Sequence, residues 1–516
     1  MRALLIYPKF PKSFWSFEKA LALTNRKAVI PPLGLITVAA LLPGKWEKRL
    51  KDHNIETIDE EDWQWAEIIL LSGMIAQKPD FIEVIQQAKK RGKPIAVGGP
   101  YPTALPDEAR SAGADFLVLD EGEMTIPMFL EAINQGETKG IFRSEIKPDI
   151  TQTPIPLFEL LNMDAYAEMA VQFSRGCPYN CEFCDIIVLY GRTPRAKRPA
   201  QMLAELSRLY ELGWRSSVFL VDDNFIGNKR KVKQFLKELK PWMNEHAFPF
   251  KFGTEASVDL AKDQELMDLM TSCKFGSVFL GIETPDVASL NQIGKHQNVR
   301  ISLDEAIHSI TTSGLRVMAG FIVGFDNEAK GAGQRIVDFV TRSSIPVAYF
   351  SMLHALPHTA LWHRLKREGR LKERGGDCNQ TTLMNFIPTR PMDEIVSEYV
   401  EGFWRLYDPK AFLKRAYQHY LLLGQAACHQ QESQTVKSKL NKKRDFLIWK
   451  GFATILWRQG IWGEGRTVFW KYLWGVWHNN PGGVIGYLSL VAQLEHFLDY
   501  RKTIKRELLH QLADFE

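Results

Sequence analysis

Along the first 140 residues, short apolar runs alternate with stretches whose apolar positions recur every three or four residues. Ala3-Leu4-Leu5-Ile6-Tyr7, Ile68-Ile69-Leu70-Leu71-Ser72, Ile95-Ala96-Val97 and Phe116-Leu117-Val118-Leu119 are unbroken runs of strand length. Such runs suit strands buried on both faces. Asp80 to Arg91 and Thr125 to Ile133 carry helical spacing. Strands separated by helices predict an α/β, doubly wound parallel sheet, in which ligands sit beyond the carboxyl ends of the strands. Those ends carry Pro8, Ser72, Gly98-Gly99-Pro100 and Glu121-Gly122-Glu123. Taken singly, the prolines and glycines are also what plain turns require.

The stretch from Lys147 to Pro156 holds two Thr and three Pro and reads as part of a linker. A second alternating region follows, with strands expected at Ala170–Ser174, Ser217–Val221, Phe250–Thr254, Ser277–Gly281, Val317–Val323 and Ala348–Leu353. Helices are expected between them, Gln201 to Leu212 and Lys229 to Asn244 among them. Six strand–helix units in a row predict a partial (β/α)6 barrel, with its chemistry at the C-terminal strand ends. From about 381 onward strand signals fade and a mainly helical region is expected. The expected division is therefore 1–145, a linker at 146–165, 166–380 and 381–516.

Composition narrows the class. At 516 residues the chain exceeds one compact core, and 45% hydrophobic with 24% charged residues excludes a largely disordered protein. Lys and Arg exceed Asp and Glu by only five, too few to mark a nucleic-acid binder by charge. The opening MRALLIYPKF is too short an apolar run for a secretory leader, and no run of eighteen apolar residues suggests a membrane span. A cytoplasmic protein is expected.

The sharpest signal is Arg175-Gly176-Cys177-Pro178-Tyr179-Asn180-Cys181-Glu182-Phe183-Cys184. Three cysteines spaced by three and two residues can wrap one loop around an iron–sulfur cluster. Three protein ligands leave one iron open. A structural zinc would need a fourth ligand, and His296, His354 or His358 are the candidates. Cys273, Cys378 and Cys428 stand apart and read as buried structural residues.

This spacing, with an aromatic before the last cysteine, resembles the signature of the radical S-adenosylmethionine superfamily. The resemblance implies a 4Fe–4S cluster on Cys177, Cys181 and Cys184. Its open iron would hold the methionyl group of S-adenosylmethionine and cleave it to a 5′-deoxyadenosyl radical. Phe183 matches the position beside adenine. Asp222, Asp223 and Asn224, in Val221-Asp222-Asp223-Asn224-Phe225, match the second strand end near the methionine moiety. Glu255 ends the third strand, and Glu283, in Gly281-Ile282-Glu283-Thr284, matches the segment on the ribose side. Gly320 and Gly324 resemble the glycine-spaced fifth-strand motif beside adenine. Independently of the resemblance, carboxylates can accept hydrogen bonds from ribose or an ammonium, and glycines admit a flat base.

The first module then resembles the cobalamin-binding domain of the cobalamin-dependent subclass. Ser72-Gly73-Met74 and Gly98-Gly99 match two of its elements, and Glu121 and Gly122 lie at the next strand end. One element is missing, the Asp-x-His-x-x-Gly motif whose histidine ligates cobalt. In Asp52-His53-Asn54-Ile55-Glu56 the histidine position is Asn54, and His53 reads as a solvent-facing loop residue. Cobalamin without a histidine ligand from this motif is the expectation.

Near the C-terminus, Trp449, Trp457, Trp462, Trp470, Trp474 and Trp477 crowd into 29 residues, interleaved with Lys450, Arg458, Arg466 and Lys471. They suit a helical core over the barrel mouth, a greasy substrate tunnel or a membrane interface. The whole architecture resembles the group that includes the hopanoid methylases. The implied activity is transfer of a methyl from methylcobalamin to an unactivated carbon of a hydrophobic, hopanoid-type substrate. A flavodoxin or ferredoxin would donate electrons, and peripheral association with the inner membrane surface is compatible. A cobalamin-assisted rearrangement or cyclisation without methyl transfer, or a cofactor sensor without turnover, would use the same sites.

Overall fold

The computed structural model describes residues 1–372, 378–426 and 442–513. Strands β1 (Arg2–Tyr7), β2 (Glu47–Asp52), β3 (Ile68–Ser72), β4 (Ile95–Gly98), β5 (Phe116–Val118) and β6 (Gly140–Phe142) form one parallel sheet in the order β2-β1-β3-β4-β5-β6. Alternate residues of the apolar runs face opposite ways. Leu4, Ile6, Ile69 and Leu71 join a core with Phe81, Val84 and Ile85 of the helix Lys78–Lys90. Ala3, Leu5, Ile68 and Leu70 pack on the other face, with Leu35 and Ala39 of helix Leu33–Leu41 and Ile126 and Phe129 of helix Gly122–Asn134. The sheet is doubly wound. Each fully buried Leu or Ile stabilises it by about 1.5–3 kcal/mol, and an Asp at Leu5 would bury a charge without a partner.

Two strands of this sheet lie outside the sequence expectation, β2 and β6, and both are its edges. The segment expected as linker, 146–165, holds three short 3-10 turns, Ile150–Gln152, Phe158–Leu160 and Met163–Ala165.

The second sheet comprises β7 (Met169–Val171), β10 (Ser217–Leu220), β11 (Lys251–Ala256), β12 (Phe275–Glu283), β13 (Arg316–Val323) and β14 (Val347–Met352), all parallel. Its order, β14-β13-β12-β11-β10-β7, follows the chain without a switch, as in an open barrel. A short antiparallel pair, β8 (Ser174–Arg175) and β9 (Arg195–Ala196), brackets the cysteine loop. Val278, Leu280 and Ile282 of β12 pack outward into the core, while Ser277, Phe279 and Gly281 between them are partly open on the other face.

The C-terminal region is helical, with Met392–Leu406, Pro409–Leu423, Lys442–Trp457, Arg466–Asn479, Val484–Val491 and Leu494–Ala513. Its apolar residues share one core with the barrel. Phe14, from the loop after β1, is the pin: its ring stacks on Phe497 at 4.8 Å and meets Tyr349 and Phe403 edge-on. The clustered tryptophans do not fill that core. All six point to solvent, because the helices that carry them bury Ile455, Phe469 and Val476 instead. Cys273 is buried as expected, Cys378 is only half-buried, and Cys428 lies outside the described residues.

Candidate functional site

The cysteine loop leaves β8 through Gly176, whose φ of +90° and whose contact with the Gly191 carbonyl (2.9 Å from an added Cβ) admit no side chain. Cys177, Cys181 and Cys184 are free thiols. Burial pushes all three above the ordinary thiol range, and each lies within electrostatic reach of another. Amide groups of Asn224 and Gln297 donate to the sulfurs of Cys177 and Cys181, both at 3.9 Å. Among the described residues no three Cys, His, Asp or Glu side chains converge on a single-ion site. Of the candidate fourth zinc ligands His296, His354 and His358, the last two bond the Met352 and Ala104 carbonyls at 3.1 and 3.0 Å.

The loop is braced from three sides. Asp222, at the end of β10, is buried, and its carboxylate accepts from the Phe173 and Ser174 amides and the Ser174 hydroxyl at 2.7–2.8 Å. Asp222 therefore ties the loop's approach to the sheet through three hydrogen bonds. Asp223 accepts from the Gly176 amide at 2.8 Å, and Asn224 bonds Ser257 at 3.2 Å beside Cys177. On another side, Glu182 receives Arg364 at 2.6 and 3.2 Å, and Arg364 also reaches Asp326 at 2.7 Å.

The third brace comes from the first module, and no sequence pattern announced it. The Arg175 guanidinium reaches Glu121 at 2.8 Å and Glu123 at 2.9 Å, and Arg195 also meets Glu121, at 2.7 Å. All four side chains are largely buried. Glu121, expected at a cobalamin surface, is engaged through both oxygens in this clamp and is a fastener between modules. The partners are more than fifty residues apart in the chain, so spacing carried no signal.

Beyond the cysteines, the strand ends supply open polar groups. Glu255 is exposed to the barrel mouth yet lies deep in the protein. Burial, then Asp223 and Asp222, push its pKa up to about 7. Asp223 rises to about 6, chiefly through burial. Glu283, with φ +66°, pairs with Lys295. Burial works against the Lys295 ammonium, but Glu283 and the Cys181 and Cys184 sulfurs hold it above its ordinary range. Lys295 also sits 5.9 Å over the Phe183 ring. Asn298 donates to the Gly281 and Ile282 carbonyls at 3.1 and 3.0 Å, while its Oδ1 is buried without a partner among the described residues. Such an orphaned acceptor suits a hydroxyl or amine of a bound cofactor. Lys295, Gln297 and Asn298 escaped the sequence reading, although the polar run Gly294-Lys295-His296-Gln297-Asn298 at a strand–helix connection was the available signal. Gly320 lies against Phe279, and Gly324 donates its amide to Glu328 at 2.8 Å.

At the carboxyl ends of the first sheet, Gly99 has φ +91°, and an added Cβ would lie 2.6 Å from the Ser72 hydroxyl. Gly98 abuts the Val118 carbonyl, and Gly122 opens a helix against Val38. A cavity of about 440 Å3 opens above these turns, lined by Met74, Thr103 and Arg143 of this module and by Val188, Leu356 and His358 of the barrel. It is bounded on one side by the strand ends of the cobalamin-like module and on the other by the segment following the cysteine loop. His53 is not solvent-facing as expected: its Nδ1 pairs with Asp80 at 2.8 Å. Asn54 is engaged as well, accepting from the Phe10 amide at 2.9 Å and donating to Asp52 at 2.6 Å.

A cysteine loop at the mouth of an open six-stranded barrel, clamped to a doubly wound module with a shared cavity, defines a radical S-adenosylmethionine enzyme that also carries cobalamin. Residues 20–130 match the B12 binding domain, 171–340 the radical SAM superfamily and 359–509 a domain of unknown function, DUF4070. The chain belongs to the cobalamin-dependent radical S-adenosylmethionine methyltransferases. It is 57% identical, over all 516 residues and 95% of the relative, to an uncharacterized methyltransferase of Synechocystis sp.. It is 35% identical to the hopanoid C-2 methylase of Rhodopseudomonas palustris over 98% of this chain and 94% of that one. The fold is similar to the radical S-adenosylmethionine methyltransferase TsrM from Kitasatospora setae with cobalamin and [4Fe-4S] cluster bound: TM-score 0.63, 14% identity, covering 88% of this chain and 99% of that one. It is also similar to OxsB with aqua-cobalamin and S-adenosylmethionine bound: TM-score 0.60, 14% identity, 99% and 80%. Cobalamin, the 4Fe–4S cluster and S-adenosylmethionine are its cofactors, and methyl transfer takes precedence over rearrangement or sensing.

Proposed function

We propose that this methyltransferase acts on an unactivated carbon of a polycyclic, hopanoid-type lipid, and that Cys177, Cys181 and Cys184 ligate its cluster. The observation that carries the substrate reading is an aromatic wall beside the strand-end carboxylates. Trp15 stacks on Tyr349 at 5.8 Å with the planes 9° apart, and meets Phe279 edge-on at 5.7 Å. Phe279 is the register neighbour of Glu255, and Tyr349 that of Gly320. A flat, apolar ring system laid on this wall would lie next to the groups assigned to the cofactor, with its own surface removed from water. The relation to the hopanoid C-2 methylase supports the same class.

When bound, the cluster, S-adenosylmethionine and cobalamin supply radical hydrogen abstraction and the methyl group. The chain's own contribution is positioning. Glu255 and the free oxygen of Asn298 accept from S-adenosylmethionine, and Phe183 with Lys295 borders its base. Gly98 and Gly99 let the cobalamin tail approach the backbone, the clamp on Arg175 fixes the cysteine loop to the cobalamin module, and the aromatic wall orients the lipid and excludes water. A flavodoxin or ferredoxin supplies electrons, in the cytoplasm. The test is anaerobic turnover with methyl-deuterated S-adenosylmethionine and polycyclic lipid extracts. The expected product is a lipid carrying one intact labelled methyl. Lipids left unmodified while a water-soluble acceptor takes the label would overturn the substrate reading.

A further inference from the structure

The C-terminal helices are built inside out. Helices Lys442–Trp457 and Arg466–Asn479 are joined through a π-helical turn, Arg458–Trp462. Their six tryptophans are exposed, from 47% at Trp470 to 73% at Trp462, and Ile461 and Ile485 are exposed beside them. A single exposed Trp needs no explanation, but a concentration of this size on one region does.

Helical geometry puts Trp470, Trp474 and Trp477 within one narrow arc, since they are spaced by four and three residues. Arg466 flanks that arc on one side and Lys471 on the other. Phe469 and Val476 occupy the buried side. The indole N–H of Trp470 donates to the Gly460 carbonyl at 2.9 Å, so this row abuts the turn that carries Ile461 and Trp462. In the preceding helix Trp449 and Trp457 are exposed while Gly451 and Ile455 are buried.

Charge selects the occupant. From Trp449 to Ile485 the chain has four basic residues and a single acid, Glu464. Arg458 is paired with Glu495 at 3.1 Å, whereas Lys450, Arg466 and Lys471 form no ion pair among the described residues. Indoles favour the headgroup level of a bilayer, and Lys and Arg beside them favour anionic lipid. Among the described residues no helix is long and apolar enough to cross a membrane.

We propose that this tryptophan face docks the enzyme onto an anionic lipid surface, with the helix Arg466–Asn479 lying in the headgroup plane. The proposal goes beyond the catalytic reading and is read without turnover, so either one can fail alone. The experiment is flotation of the full chain with vesicles of phosphatidylcholine, with and without phosphatidylglycerol. It compares wild type with Trp462→Ser/Trp474→Ser/Trp477→Ser and with Arg466→Gln/Lys471→Gln. These side chains point to solvent, so unchanged circular dichroism and melting are expected to confirm that each variant folds.

Wild type should float with phosphatidylglycerol vesicles and show Trp emission quenched by brominated lipid. The triple Trp variant should lose about tenfold or more in vesicle affinity. The charge variant should lose the preference for phosphatidylglycerol and keep part of its binding. Wild type that stays unbound at every composition, or a triple variant that floats equally well, would overturn the proposal. So would self-association, measured by light scattering, that the triple variant abolishes while no vesicle binds, because the face would then belong to a second copy of the chain.

Discussion

Two parallel sheets stand side by side in this protein, and both present their carboxyl ends to cofactor sites. They do so with opposite electrostatics. At the first sheet the acids are neutralised within the protein: Glu121 and Glu123 by Arg175 and Arg195, Asp120 by Arg143 at 3.3 Å. What remains above its turns is a cavity lined by Met74, Ile75 and Pro100 together with the Asp120–Arg143 pair, Glu145 and Lys147. At the second sheet Asp223 and Glu255 sit together with no paired cation among the described residues and with raised pKa values. The first strand-end site thus presents acids that are already paired, and the second presents acids that are not. The strand-end rule locates a site, and the pairing of its charges tells what kind of ligand it takes.

The sharpest way to break this comparison is Cys181→Ala. Reductant-dependent formation of 5′-deoxyadenosine should disappear, while cobalamin binding, read from its visible spectrum, should survive at the other sheet. Equal loss of both would mean that the two sites are not separable.

Arg175→Met comes next. It strands the buried Glu123, while Glu121 keeps Arg195, and removal of one partner from such a buried pair costs about 3–5 kcal/mol. Thermal melting should fall steeply, and the double change Arg175→Met/Glu123→Gln should recover part of the loss. A melting point unchanged by Arg175→Met would show that the clamp contributes nothing.

Glu255 gives a pH signature. A carboxyl whose pKa rises from 4.5 to about 7 on folding favours the folded state while protonated. That contribution is complete below about 4.5 and fades as pH climbs through about 7. The cofactor-free protein should therefore melt lower at pH 8 than at pH 5 from this cause, and Glu255→Gln should show a shallower decline. Parallel profiles would assign the slope to the other carboxyls that burial raises, Asp222, Asp223 and Glu328 among them. The smallest effect is expected for Trp15→Ala, which removes ring contacts worth about 0.5–1.5 kcal/mol. KM for a lipid substrate should rise severalfold with kcat and 5′-deoxyadenosine formation little changed.

Much of this architecture was legible in the chain because buried parallel strands are written as unbroken apolar runs. The two missed strands show the limit. β2 reads Glu-Lys-Arg-Leu-Lys-Asp and β6 has three residues, and both are edges with one side open to water, where the apolar code is not enforced. The cysteine loop was legible because its ligands are local. Asp222 and Glu121 were located at the right strand ends, but their partners lie 48 and 54 residues away, so sequence could not show that those carboxylates were already engaged. For the tryptophans, periodicity shows that they share helical faces but not whether those faces turn inward.

The Arg175 clamp also bears on how such enzymes can be recombined. Arg175 stands two residues before the first cysteine of the barrel's loop, yet both of its counter-charges are encoded in the preceding module. A chimera that grafts this barrel onto a foreign cobalamin module inherits the arginine without its acids. Such a graft has to import Glu121 and Glu123 together, or replace Arg175 by an apolar residue. In a lineage the two halves behave as lock and key, and exchange between relatives should keep that seam intact.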